Sequence, residues 1–235
     1  SPMSRGLGDV YKRQRLNRIT FSIDSGILDT RQIKPFNQFA SYYEELIFKF
    51  LPKNTNVGGY GFINTKLELT DGGADINAYG QIVKASLPVT QNELMSLLTG
   101  TIQEKVSLLG ICLTKVINTV GRQVETDTQK IETAILEANK NHLGFEQELK
   151  VSKSHKSRAL KVIIVRVVKP DKEFITCRII HKNGGLAEEV ELLGNSTVYD
   201  AAYHFKKSRW NANKLLIFDR FGEEKYSIDV AKHLG

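Results

Sequence analysis

Two cysteines, two methionines, five prolines and a single tryptophan in 235 residues close off several architectures at once. Cys112 falls inside an apolar helical pattern and Cys177 inside a strand pattern, so neither a disulfide scaffold nor a cysteine metal cage is available, and buried free thiols are expected. Such usage fits a reducing compartment such as the cytoplasm. No apolar run reaches the roughly 20 residues that a membrane-spanning helix needs, and the basic start is not followed by the apolar core of a signal peptide. The five histidines, His142, His155, His181, His204 and His233, never stand at metal-ligand spacing from one another or from a cysteine. No serine, cysteine or threonine sits in a nucleophile elbow or beside an evident base. Gly58-Gly59-Tyr60-Gly61 and Gly72-Gly73 lack the Lys-Ser/Thr sequel of a phosphate loop and read as turns or bulges. No catalytic residue, metal ligand or cofactor site is assigned.

What the chain does have is 41% apolar residues, enough to bury one large core or two small ones. Its formal charge of +7 is unevenly placed. Residues 15–150 hold 14 basic and 15 acidic side chains, whereas residues 151–235 hold 16 and 10, so most of the excess follows Gly144. Charge of this size bears on solubility and on contact with polyanions, and says nothing of fold. The rest of the excess lies in residues 1–14, SPMSRGLGDVYKRQ, which show neither helical period nor strand alternation. That stretch resembles translated sequencing-adapter read-through, as met at the ends of metagenomic fragments. The resemblance implies a non-native segment outside the fold, the alternative being an ordinary disordered basic tail. No family motif is recognised in residues 15–235.

Ile19, Phe21 and Ile23 alternate with polar neighbours, the period of a half-buried strand. Phe36, Phe39, Ala40, Tyr43, Leu46, Ile47 and Phe50 recur at three and four residues, predicting an amphipathic helix over 32–51 that Pro52 ends. Two strands are expected around the turn Asp71-Gly72-Gly73, the first carrying Tyr60 to Leu69 and the second Ile76 to Leu87. Thr90 with Glu93 is a capping box, opening a helix whose apolar face runs to Gly121, about 45 Å if unbroken by Gly100 and Gly110. Thr126 with Gln129 reads as a second box, starting a stripe from Ile131 to His142 that Gly144 terminates, so that the two helices form a hairpin.

Past Gly144 the period shortens. Strands are expected at 145–153, 159–168, 173–181 and 186–193, with turns at Pro170-Asp171 and Asn183-Gly184-Gly185, an antiparallel meander. A short helix with Val198, Ala201, Ala202 and Phe205 on its apolar side follows, and a last hairpin joins 214–218 to 225–230 through Phe221-Gly222-Glu223. The class is α+β: an antiparallel sheet covered by a long helix and the helical hairpin over 15–144, then a strand-rich basic subdomain over 145–235. The joint Leu143-Gly144-Phe145 is short, which favours two packed subdomains over two mobile ones.

Three functions are carried forward. The first is a protein-binding module of bacterial type, immunity-like or an adaptor, in which Tyr199, Tyr203, Lys206, Lys207, Arg209 and Trp210 meet another protein. Tyr, Trp and Arg are the anchors that interfaces favour, and Asp200, Tyr203, Lys207 and Trp210 would share one side of the short helix. The plainer role for Trp210 is to close the core. The second is nucleic-acid binding, with Lys156, Arg158, Lys161, Lys206, Lys207 and Arg209 on phosphates and Tyr203, Trp210 or Phe221 stacking on unpaired bases. The basic stretch also includes Lys153, His155, Arg166, Lys169 and Lys172, and its competing reading is a solvated rim of strands, since edge strands recruit lysine to block pairing. The third is a metal-dependent hydrolase or nuclease using Asp71, Asp75 or His181, with Asp24 and Asp29 at the same sheet end. Against it, Asp71 to Asp75 lacks the ligand ladder of a calcium loop, and Lys182-Asn183-Gly184-Gly185 after His181 reads as a turn.

Overall fold

Alternation places Ile19 and Phe21 on one side of β1 (Arg18–Ile23), where both are buried. Phe36, Phe39, Tyr43, Leu46 and Ile47 form the buried stripe of α1 (Thr30–Phe50), and the two apolar faces meet with Phe21 edge-on to Tyr43 at 5.7 Å. This computed structural model describes residues 15–24 and 30–234, which divide into one unit ending at Leu143 and another beginning at Gly144. The tail 1–14 and Asp29 lie outside the described residues.

In the first unit, β2 (Phe62–Leu69), β3 (Asp75–Tyr79) and β4 (Ile82–Val89) complete a sheet ordered β1-β2-β4-β3. Its pairing is mixed: β1 runs parallel to β2 and β2 to β4, and β3 is antiparallel to β4. The parallel start follows from α1, which supplies the crossover that two parallel strands require. Where the pattern suggested one strand from Ile76 to Leu87 there are two, because Gly80 takes φ +57° and turns the chain back on itself. Ile63, Leu67, Val83, Ala85 and Leu87 are buried on one face, while Asn64, Lys66, Lys84 and Ser86 occupy the other. Glu44 of α1 accepts the Ile19 amide at 3.1 Å, closing a donor on the outer edge of the sheet.

The helix expected from Thr90 to Gly121 is two helices, α2 (Gln91–Thr99) and α3 (Ile102–Gly121). Gly100 leaves helical geometry, and Thr101 with Glu104 forms a capping box of its own, the Thr101 amide donating to Glu104 Oε2 at 2.7 Å. The box expected at Thr126 and Gln129 does not form. Instead α4 (Thr128–Lys140) starts after Asp127, whose carboxylate takes the Asn56 amide at 2.8 Å rather than capping its own helix. α3 and α4 still pack as a hairpin, closely enough at Gly110 that a Cβ there would come within 2.9 Å of the Ile135 side chain.

The second unit holds β5 (Phe145–Glu148), β6 (Lys153–Ser154), β7 (Leu160–Val168), β8 (Glu173–His181) and β9 (Leu186–Leu193) in one antiparallel sheet ordered β5-β7-β8-β9, with β6 also on β7. After α5 (Val198–His204), β10 (Lys207–Asn211), β11 (Lys214–Phe218) and β12 (Glu224–Asp229) form a second antiparallel sheet. One apolar cluster joins the two sheets and includes Val162, Ile164, Ile175, Cys177, Phe205, Leu215 and Ile217. The α+β class and the strand-rich C-terminal part expected from the sequence are both present. Among the described residues, no helix is long and apolar enough to cross a membrane.

Candidate functional site

The segment from Tyr199 to Trp210 is not one helix. α5 stops at His204, Phe205 turns inward to stack on Tyr226 at 5.0 Å, and Lys206 already donates its amide to Phe218 O at 3.0 Å. Lys207 and Trp210 therefore sit on β10 and share no helical face with Asp200 and Tyr203. Strand geometry sends alternate residues to opposite faces. Lys207 and Arg209 are exposed, Ser208 is buried with its hydroxyl donating to Val151 O at 2.7 Å, and Trp210 packs against the core with Nε1 donating to Ser154 O at 2.9 Å.

Opposite β10, β11 brings Phe218 level with Lys207. The Arg209 guanidinium lies over the Phe218 ring, 4.9 Å from its centroid. The chain then turns through Asp219-Arg220-Phe221-Gly222, where Arg220 lies over Phe221 at 4.9 Å and over Tyr203 at 5.6 Å. Those two rings meet edge-on at 5.5 Å. Lys206, Lys207, Arg209, Arg220, Phe218 and Phe221 line an open groove of about 480 Å³. Among the described residues none of the four cations has an ion-pair partner, and the one carboxylate of the lining, Asp219, is buried.

Asp219 builds the turn. Its Oδ1 accepts the Phe221 amide at 2.8 Å and the Glu223 amide at 3.0 Å, and its Oδ2 faces the Lys225 ammonium at 3.5 Å. Burial pushes this carboxyl up, but the two amides and Lys225 outweigh it and hold the group below the usual carboxylate range. The Arg220 amide donates to Tyr203 O at 2.9 Å, fastening the turn to α5.

The structure thus brings Tyr203, Lys206, Lys207 and Arg209 to one place and leaves the other expected residues elsewhere. Tyr199 is 81% exposed on α5 but does not line the groove, and Trp210 faces inward with its ring edge-on to buried His155 at 4.8 Å. Most of the basic stretch is engaged within its own unit. Lys153 donates to Ser208 O, Lys161 pairs with Glu148 at 2.8 Å, and Lys169 and Lys172 lie over the Phe174 ring. Arg166 is not at a strand end but buried in mid-strand against Glu173. Lys156 and Arg158 are exposed on the turn before β7, outside the groove. Arg220 and Phe218 escaped the sequence reading. Asp first and Gly fourth in a type I turn was the available signal that Arg220 and Phe221 would stand at a tip.

Comparison of the chain with protein-family models, curated proteins and solved structures finds no match. Its chemistry must be read from its own side chains. Both thiols are buried, and burial pushes Cys112 up to about 11 and Cys177 up to about 12, which leaves no nucleophilic thiolate near neutral pH. Asp75 lines a cavity of about 390 Å³ on the polar sheet face of the first unit, where it accepts from Asn77 at 2.6 Å. Asp71 is not part of that lining, Asp24 pairs with Lys66 at 3.0 Å, and His181 belongs to the second unit. Among the described residues, no group of three His, Cys, Asp or Glu is placed to hold a metal ion.

Proposed function

We propose that this chain is a binding module that takes an anionic partner in the groove of its second unit. The observation that supports this is the convergence of four cations without carboxylate counterparts around two aromatic rings. Like charges held together repel one another, and elsewhere in the unit that repulsion is relieved by pairing, as in Lys161 with Glu148, Arg178 with Glu146 and Lys232 with Glu188. At the groove the complementary charge has to come from a partner. An acidic protein face is what an immunity-like or adaptor role calls for. Tyr203, Lys206, Lys207 and Arg209 are then joined by Arg220 and Phe221 as contact residues, while Trp210 serves packing. A hydrolase reading is supported by no converging group among the described residues. The two unpaired thiols favour a reducing location such as the cytoplasm.

Retention of the full chain on a heparin column tests the proposal. The double variant Lys206→Glu, Lys207→Glu is expected to elute at clearly lower salt than the wild type, because each lost phosphate-like contact lowers the salt dependence of binding. Lys156→Glu with Arg158→Glu makes the same change in net charge outside the groove and is expected to matter less. Equal elution of the two double variants would leave the groove without a special role.

A further inference from the structure

We infer that the groove takes single-stranded nucleic acid, with an unpaired base on the open side of Phe221 and backbone phosphates on Lys206, Lys207 and Arg209. This rests on the reading of the groove as an anion site and names the class of anion. Phe221 is 65% exposed, a large apolar ring at a turn tip where burial would ordinarily be favoured. It is nevertheless held in place. Arg220 covers one side at 4.9 Å, Tyr203 meets it edge-on at 5.5 Å, and its own amide is fixed by Asp219.

A ring fixed in this way, backed by a guanidinium, offers a flat π face at little ordering cost. Charge alone does not call for such a face. An acidic peptide satisfies the lysines and arginines through its carboxylates and gains nothing specific from a phenyl ring. A nucleic-acid duplex satisfies them through its phosphates but keeps its base faces stacked inside. Only an unpaired strand presents both anions and free base faces, and base-on-aromatic stacking tolerates any sequence because every base has a π face. Phe218 under Arg209 provides a second ring beside the lysines, deeper and only half-exposed, so Phe221 is the platform and Phe218 the support for the guanidinium.

Fluorescence anisotropy with the full chain distinguishes these cases, using a labelled single strand of about 12 nucleotides, within the span such grooves cover. The matching duplex and poly-L-glutamate serve as competitors. The single strand is expected to bind about 10-fold more tightly than either competitor at equal charge, Phe221→Ala to lose about that factor for the single strand alone, and Phe221→Trp to restore it. Lys206→Glu with Lys207→Glu is expected to abolish binding of all three. Circular dichroism of Phe221→Ala should match the wild type, since the ring is exposed. If duplex or poly-L-glutamate binds as tightly as the single strand, or Phe221→Ala binds it unchanged, the base platform is overturned while the anion site stands. If none of the three binds at low salt, both readings fall together.

Discussion

Arg166 and Glu173 clamp the β7–β8 pair from inside: Nε and Nη2 of the guanidinium donate to the two carboxylate oxygens at 2.6 Å each, with Arg166 only 2% exposed. Ser196 Oγ donates to the same carboxylate at 3.3 Å, so the segment after β9 is tied to the pair as well. A buried ion pair adds little net stability, because desolvation offsets the attraction, but removing one partner strands the other charge. Arg166→Met is expected to lower the free energy of unfolding by about 3 kcal/mol or more, and Arg166→Met with Glu173→Leu to recover most of the loss. Denaturant titration of the two variants decides the matter. A single variant as stable as the wild type would mean that the clamp contributes nothing.

Glu44 carries the opposite electrostatic sign. Burial raises its carboxyl above the ordinary value near 4.5, against the smaller downward pull of the Ile19 amide and Arg18. Its folded pKa is therefore above its unfolded one. Through the window from about that ordinary value up to the raised folded value, the folded state binds the proton more strongly, so this group's contribution to stability declines as pH rises and is least favourable above the window. Glu44→Gln keeps an oxygen for the Ile19 amide and removes the charge. The variant is expected to match or exceed wild-type stability at pH 7 and to lose that advantage near pH 4. Denaturation midpoints at the two pH values check this, and a variant weaker at pH 7 but equal at pH 4 would contradict it.

The elements that were legible are those whose side-chain period survives packing. α1 shows its stripe from Phe36 to Ile47, and β7 its apolar run from Val162 to Val168, because each buries a continuous face. The break between α2 and α3 was not legible, since the stripe of leucines and valines continues across Gly100 and masks the capping box at Thr101. β10 was hidden for a different reason. Its inward positions are Ser208 and Trp210, and Ser208 is tolerated there only because Val151 O accepts its hydroxyl, a contact made by a residue far away in the chain. The groove was half legible. Tyr203, Lys206, Lys207 and Arg209 are close in sequence, but Phe218, Arg220 and Phe221 join them through the register of β10 on β11, which no local pattern records.

Asp219 separates charge from shape in the groove, because removing it makes the two predict opposite outcomes. Asp219→Ala takes away the one carboxylate of the lining and leaves the groove more positive. If charge alone drives binding, a single strand should then bind more tightly. The same substitution frees the Phe221 and Glu223 amides, so the tip that presents Phe221 loses the hydrogen bonds that hold it. If the fixed ring matters, the single strand is expected to bind about 10-fold more weakly, since the ordering cost returns at each binding event. Asp219→Asn keeps one oxygen to accept an amide and should fall between Asp219→Ala and the wild type. Anisotropy titrations at one salt concentration, with heparin elution as the measure of charge, read both effects at once. Stronger retention on heparin together with weaker single-strand binding is the combination that only a preorganised ring explains, whereas tighter binding on both would reduce the groove to a patch of charge.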